Sequence, residues 1–143
     1  MKAEEFLNRI KKLHMLINST QEVIDSMSMP GAVNYEKNIG GKCSVRENIE
    51  ESKQIHRQEI IEMLDKYMRT LKKYHHAAIM ATVSNKVSAS SKIILEQRYL
   101  LDKSWKETAQ YLGYDEVYVK RKLYQDLLDD CEKVAFLYER LEM

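Results

Sequence analysis

The chain has 143 residues, 31% of them charged and 44% hydrophobic, and a formal net charge of +1. Such proportions favour a globular or helical-bundle protein over a disordered one, and the near-neutral balance excludes a protein that holds nucleic acid by bulk charge. Any contact with DNA has to rest on a local surface.

One proline and four glycines are few, which favours long helices. The two cysteines, Cys43 and Cys131, form no C-x-x-C pair. They fit a reducing cytoplasm, as one surface thiol and one small buried residue. No apolar run approaches the roughly 20 residues that span a bilayer. The opening "MKAEEFLNRIKK" lacks the apolar core of a secretion signal. A cytoplasmic protein with no membrane partner is expected.

The first element runs from about Lys2 to Met27. Phe6, Ile10, Leu13, Ile17, Thr20, Ile24 and Met27 alternate steps of four and three, a heptad seam that demands a neighbouring helix. The next stretch, Ser26 to Ser44, holds the only proline and three of the four glycines. It has no period and reads as a long loop, about 28–45, either a linker or a segment that orders on a partner.

A second helix is expected from near Val45 to about Val87, roughly 60 Å at about 1.5 Å per residue. Its seam is Ile60, Leu64, Tyr67, Leu71, Tyr74 and Ala78. The two seams suit a helical hairpin or a coiled coil between copies, so a homo-oligomer through these helices or the last one is expected. Met63, Met68 and Met80 read as adaptable core filler.

"SASS", Ser88 to Ser91, interrupts the pattern and offers N-caps for a helix to about Leu101. After the turn "LDK", Ser104 and Glu107 form a capping box, with the hydroxyl accepting from the N–H near Glu107 and the carboxylate reaching back to the Ser104 N–H. Trp105, Thr108, Ala109 and Leu112 then share one helical face. Gly113 ends that helix and Asp115 caps the next. Val119, Leu123 and Leu127 point inward. Glu116, Tyr118, Lys120, Arg121, Lys122 and Gln125 point outward. Small Ala109, four residues before the glycine, lets a second helix cross steeply, as in a helix-turn-helix. Lys, Arg, Gln and Tyr on an exposed face can bond phosphates and base edges. Tyr111, Tyr114 and Tyr124 read as wedges between the helices.

A third seam, Tyr124, Leu127, Cys131, Val134, Tyr138 and Leu141, extends the last helix to about Arg140, packing on the N-terminal helices or a second subunit. His75 and His76 point about 100° apart on a helix and read as a solvated face, with His14 and His56 isolated. No H-E-x-x-H, P-loop, nucleophile elbow or dinucleotide fingerprint occurs. No catalytic, cofactor or metal site is expected, and an enzyme is not.

The stretch from Leu95 to about Leu128 resembles region 4 of the sigma-70 family. Arg98-Tyr99, Ser104-Trp105, Ala109, Leu112-Gly113 and Val119 fall in its register. Asp115 stands where the family commonly has Ser or Thr, and Thr108 where it often has Ile. With the Ser-Trp pair and the Met/Pro/Gly-bearing loop, the whole chain resembles more weakly the sigma-region-4-like regulators of Gram-positive phages and prophages, of the ArpU and RinA kind. That resemblance implies an all-α regulator of phage gene transcription: a helical hairpin or coiled coil over 1–87 and a helix-turn-helix domain over 88–143. It implies double-stranded DNA as partner, with RNA polymerase as a further one. A phage DNA-packaging small subunit and a polymerase-binding module that never reads DNA are the alternatives.

Overall fold

The computed structural model describes residues 1–27 and 43–141, and of residues 43–51 the backbone alone. Among the described residues every regular element is helical. Residues 28–42 of the expected loop lie outside them.

Helix α1 is Ala3–Met27 and α2 is Cys43–Thr82. The third, α3, begins as Ala89–Ile94 and continues as the π-helical turn Leu95–Leu100. Trp105–Leu112 is α4. The last helix, α5, covers 116–133: Glu116–Tyr118, a π-helical stretch Val119–Leu123, then Tyr124–Lys133. A 3-10 turn, Ala135–Leu137, follows.

The chain divides into two compact units: Met1–His14 with Arg69–Met143, and Met15–Met68. In the smaller unit Ile24 is buried, while Ile17, Thr20, Met27, Ile60, Leu64 and Tyr67 are half-buried, so both seams face inward there. Met63 and Met68 lie off the seam and are exposed, as is Met80 in the larger unit, which corrects their reading as core filler.

The core of the larger unit takes Ala3, Phe6, Leu7, Ile10 and Leu13 from α1 and Tyr74, Ala77, Ala78 and Ala81 from α2. Phe6 stacks on Tyr138 at 4.3 Å and on Tyr74 at 5.8 Å, a three-ring column. Side chains as fully buried as Phe6, Leu7 and Ile10 are each worth about 1.5–3 kcal/mol over exposure.

Three boundaries differ from expectation. Helix α2 begins at Cys43, ahead of Val45. It ends at Thr82, short of Val87: the Thr82 hydroxyl donates to the Ile79 carbonyl at 2.6 Å, and the Ser84 N–H turns back to Ala81. Helix α5 ends at Lys133, short of Arg140. Val134 leaves helical geometry at φ −118°, and Tyr138 folds back so that its hydroxyl donates to the Cys131 carbonyl at 3.0 Å. One 3-10 turn keeps the three- and four-residue steps of the seam, so Val134 and Tyr138 are still buried after the helix has stopped. The expected packing partner is α1: besides the Phe6–Tyr138 stack, the Ala3 N–H donates to Glu132 at 2.9 Å.

A carboxylate joins α5 to the start of α3. Ser88 caps α3, its hydroxyl accepting from the Ser91 N–H. Asp130, buried, accepts from the Ser88 N–H at 3.0 Å and the Ser91 hydroxyl at 2.8 Å, and Lys133 approaches it at 3.2 Å. Burial alone would raise its pKa. The hydrogen bonds from Ser88 and Ser91, with Lys133, outweigh burial and hold the carboxyl below its ordinary value.

His14 and His75 are not solvated or isolated. Their Nε2 atoms lie 3.1 Å apart, and His14 Nε2 is 2.9 Å from the Tyr99 carbonyl. Asp102, in the turn after α3 at φ 55°, accepts from Lys11 and lies 4.0 Å from the other His14 nitrogen. Burial, then the charge of His14, pushes the His75 pKa down. His76 is exposed.

Candidate nucleic-acid interface

The candidate surface is built on α4, the turn after it and the first turns of α5. Ser104 accepts from the Glu107 N–H at 3.2 Å, and α4 starts at Trp105 as its cap dictates. The reciprocal half of the capping box differs from expectation: the Ser104 hydroxyl itself meets the Glu107 carboxylate at 3.2 Å. Thr108, fully buried, returns its hydroxyl to the Ser104 carbonyl at 2.8 Å, so a polar side chain is accommodated on the inner face beside Ala109.

Gly113 adopts φ 77° and ψ 24°. Its N–H donates to the Gln110 carbonyl at 3.2 Å, and the Tyr114 N–H reaches Ala109 at 3.1 Å, the paired bonds of a Schellman ending. Only Gly113 and Tyr114 separate α4 from the Asp115 cap. Asp115 then accepts from the Val117 N–H at 3.2 Å and starts α5.

Arg98 ties this segment to α3. One guanidinium nitrogen donates to the Lys103 carbonyl at 2.9 Å, and the plane lies 4.8 Å over the Trp105 ring. Tyr124 packs edge-on against the same indole at 5.4 Å. Tyr99 is buried beside them, and burial raises its pKa, with Tyr124 adding. Leu112 is half-buried at the end of α4.

Val119, Leu123 and Leu127 are all buried although each step is four residues. In a regular helix such steps drift around the axis. A step of four overshoots an α-helical turn by about 40°, whereas four residues of the wider π-helical stretch Val119–Leu123 fall short of a turn, so the two drifts offset and all three stay inward.

Glu116 is half-buried at the rim, and Tyr118, Lys120, Arg121, Lys122 and Gln125 are exposed. Four of these side chains, Glu116 among them, are engaged along their own helix. Lys120 pairs with Glu116 at 3.0 Å, Lys122 with Asp126 at 3.4 Å, and Gln125 donates to Asp129 at 3.4 Å. Among the described residues Arg121 has no such partner. Tyr111 and Tyr114 are 64% and 52% exposed, which corrects their reading as wedges. The Tyr114 and Tyr118 rings lie 5.3 Å apart.

Val117, 54% exposed, was not singled out in the sequence. The signal was available: it sits two residues before inward Val119, so it falls off the inner face.

No family model matches the chain, and no curated protein and no solved structure matches it. Among the described residues no group of three or more His, Cys, Asp or Glu could hold a metal ion, and no helix is long and apolar enough to cross a membrane.

Proposed function

We propose that this chain is a DNA-binding transcriptional regulator of phage or prophage genes, acting in the cytoplasm, with α4 and α5 as a helix-turn-helix of the sigma region-4 kind. One observation carries the proposal: a glycine-terminated, capped α4 leads within two residues into a capped α5 whose inner face is Val119 and Leu123 and whose outer face is Tyr118, Lys120, Arg121, Lys122 and Gln125. In a helix-turn-helix the second helix enters the major groove with its N-terminal residues toward the bases. The N-terminal helices 1–87 then form a hairpin or coiled coil that brings two copies together, and 88–143 is the DNA-reading domain.

A gel-shift series with the purified protein on duplexes upstream of phage genes tests the proposal. A saturable shift at about 50 mM salt that weakens steeply toward about 200 mM is expected. A second function, docking on RNA polymerase without reading DNA, is favoured by the Lys120–Glu116 and Lys122–Asp126 pairs, which neutralise much of the face. Absence of any shift at low salt, with co-purification of polymerase, decides for the second and against the first.

A further inference from the structure

Of the polar groups on α5 that would read guanine or adenine, Arg121 alone has no partner among the described residues. Lys120, Lys122 and Gln125 each hold a carboxylate four residues away on the same helix. What the tip of the helix offers freely is apolar. Val117 is 54% exposed and Tyr118 44%, in the first turn after the Asp115 cap, with Tyr114 at 52% beside Tyr118. Val117, Tyr118 and Tyr114 are exposed together at this one end of the helix, unlike the singly scattered apolar side chains that any surface carries. Asp115 and Glu116 precede this apolar tip and Lys120, Arg121 and Lys122 follow it on the next turn, where Arg121 has no ion pair among the described residues.

We propose that Val117, with Tyr118 beside it, reads the C5-methyl groups of thymines in the major groove. This inference rests on the DNA-binding function above. In the major groove the methyl is the one apolar feature that marks T·A from the other pairs, and apolar side chains are its natural contacts. Arg121, the cation of this face with no ion pair among the described residues, brings a phosphate close, and the apolar tip then buries a methyl that is otherwise in water. The assignment makes Val117 a specificity-determining residue, and it predicts that preferred sites carry thymines where the start of α5 enters the groove.

The test begins with duplexes selected from a random-sequence library by the full-length protein. Each thymine in the enriched site is replaced in turn by uracil, which deletes the methyl and leaves every hydrogen-bonding group in place. Loss of one buried methyl should weaken binding about fourfold. At the same position a G·C pair carrying 5-methylcytosine should bind more tightly than unmethylated G·C, because it restores the methyl. Val117→Ala, at an exposed helical site, should fold normally and show a smaller uracil penalty, because its shorter side chain leaves less apolar surface to meet the methyl. Equal binding of thymine and uracil duplexes by the wild-type protein would overturn the inference while leaving DNA binding intact. So would a Val117→Ala protein that keeps the full uracil penalty. Failure to enrich any sequence, with no shift at low salt, would instead overturn the DNA-binding function on which the inference rests.

Discussion

Arg121→Ala is the sharpest probe of the proposed interface. Three cations follow one another in α5, but they are not equivalent. Lys120 and Lys122 lie 3.0 and 3.4 Å from carboxylates of their own helix, whereas Arg121 has no ion pair among the described residues. In the proposed mode, DNA binding would therefore draw on the Arg121 charge without first breaking an ion pair. Each phosphate neutralised contributes about 0.9 to the salt slope, so one contact is worth about 3.5-fold in affinity between 50 and 200 mM salt. If all three cations reach phosphates, the wild-type protein should lose about 40-fold over that range and Arg121→Ala only about 12-fold. Glu116→Gln should act in the opposite sense, freeing Lys120, raising affinity at low salt and steepening the slope. Fluorescence anisotropy of a labelled duplex across a salt series reads all of this directly. An unchanged slope for Arg121→Ala would remove that residue from the interface. Weaker binding by Glu116→Gln would show that Glu116 itself bonds the DNA, as an acceptor for cytosine N4, and that the pairing argument is wrong.

Three further outcomes concern the scaffold behind that face. Asp130→Ala removes a buried acceptor for the Ser88 N–H and the Ser91 hydroxyl; hydrogen bonds to a charged group are worth about 1.5–3 kcal/mol each, so a loss of about 3 kcal/mol in urea unfolding is expected, while half-exposed Lys133 adds little. Asp130→Asn, which keeps one acceptor oxygen, should lose less. Because folding lowers the Asp130 pKa, its stabilisation is present above the unfolded value of about 3.9 and disappears as pH falls through the folded value. Gly113→Ala should destabilise by about 1–2 kcal/mol from backbone strain alone, since a Cβ there meets nothing within 4 Å, and Gly113→Asn should cost less. Finally, burial and His14 lower the His75 pKa, so the folded state binds fewer protons than the unfolded one below about pH 6.5, and stability should fall as pH drops from there. Thermal melts between pH 7.5 and 5 should show that slope in the wild-type protein and a smaller one in His75→Phe.

Local chemistry was what the sequence expressed best. The start of α4 follows from Ser104, its end from Gly113 and the start of α5 from Asp115, because each boundary is set by one side chain or one φ angle close by in the chain. The inward positions of Val119, Leu123 and Leu127 were legible as well. The reason their four-residue spacing holds was not: the π-helical stretch has no residue-level signature in "VKRKL". The end of α5 was misplaced because a 3-10 turn and a last α-helical turn present nearly the same spacing over four residues. The His14–His75 contact was invisible for a different reason. It joins residues 61 positions apart, and neither histidine carries a local motif. Arg98 and Trp105 were recognised as a pattern, and their stacking at 4.8 Å gives the pattern its physical content.

The acids on α5 bear on what kind of DNA reader this face would make. A face of unpaired lysines binds any duplex, because phosphate contacts carry no sequence information. Here Lys120 and Lys122 must leave Glu116 and Asp126 before they can serve a phosphate, and the exchange returns little net free energy. In the proposed DNA reader, non-specific affinity would thereby be held down. Contacts that depend on the bases, at the Val117–Tyr118 tip, keep their full value because they replace contact with water and not an ion pair. Specificity is a difference between the two affinities, so lowering the indiscriminate one raises it without any new contact to the correct site. On this account the near-neutral charge that counts against DNA affinity in the sequence counts in favour of discrimination. The variant that separates these quantities is Glu116→Gln: it should gain more on random duplexes than on the selected site, so that its specificity ratio falls while its affinity rises.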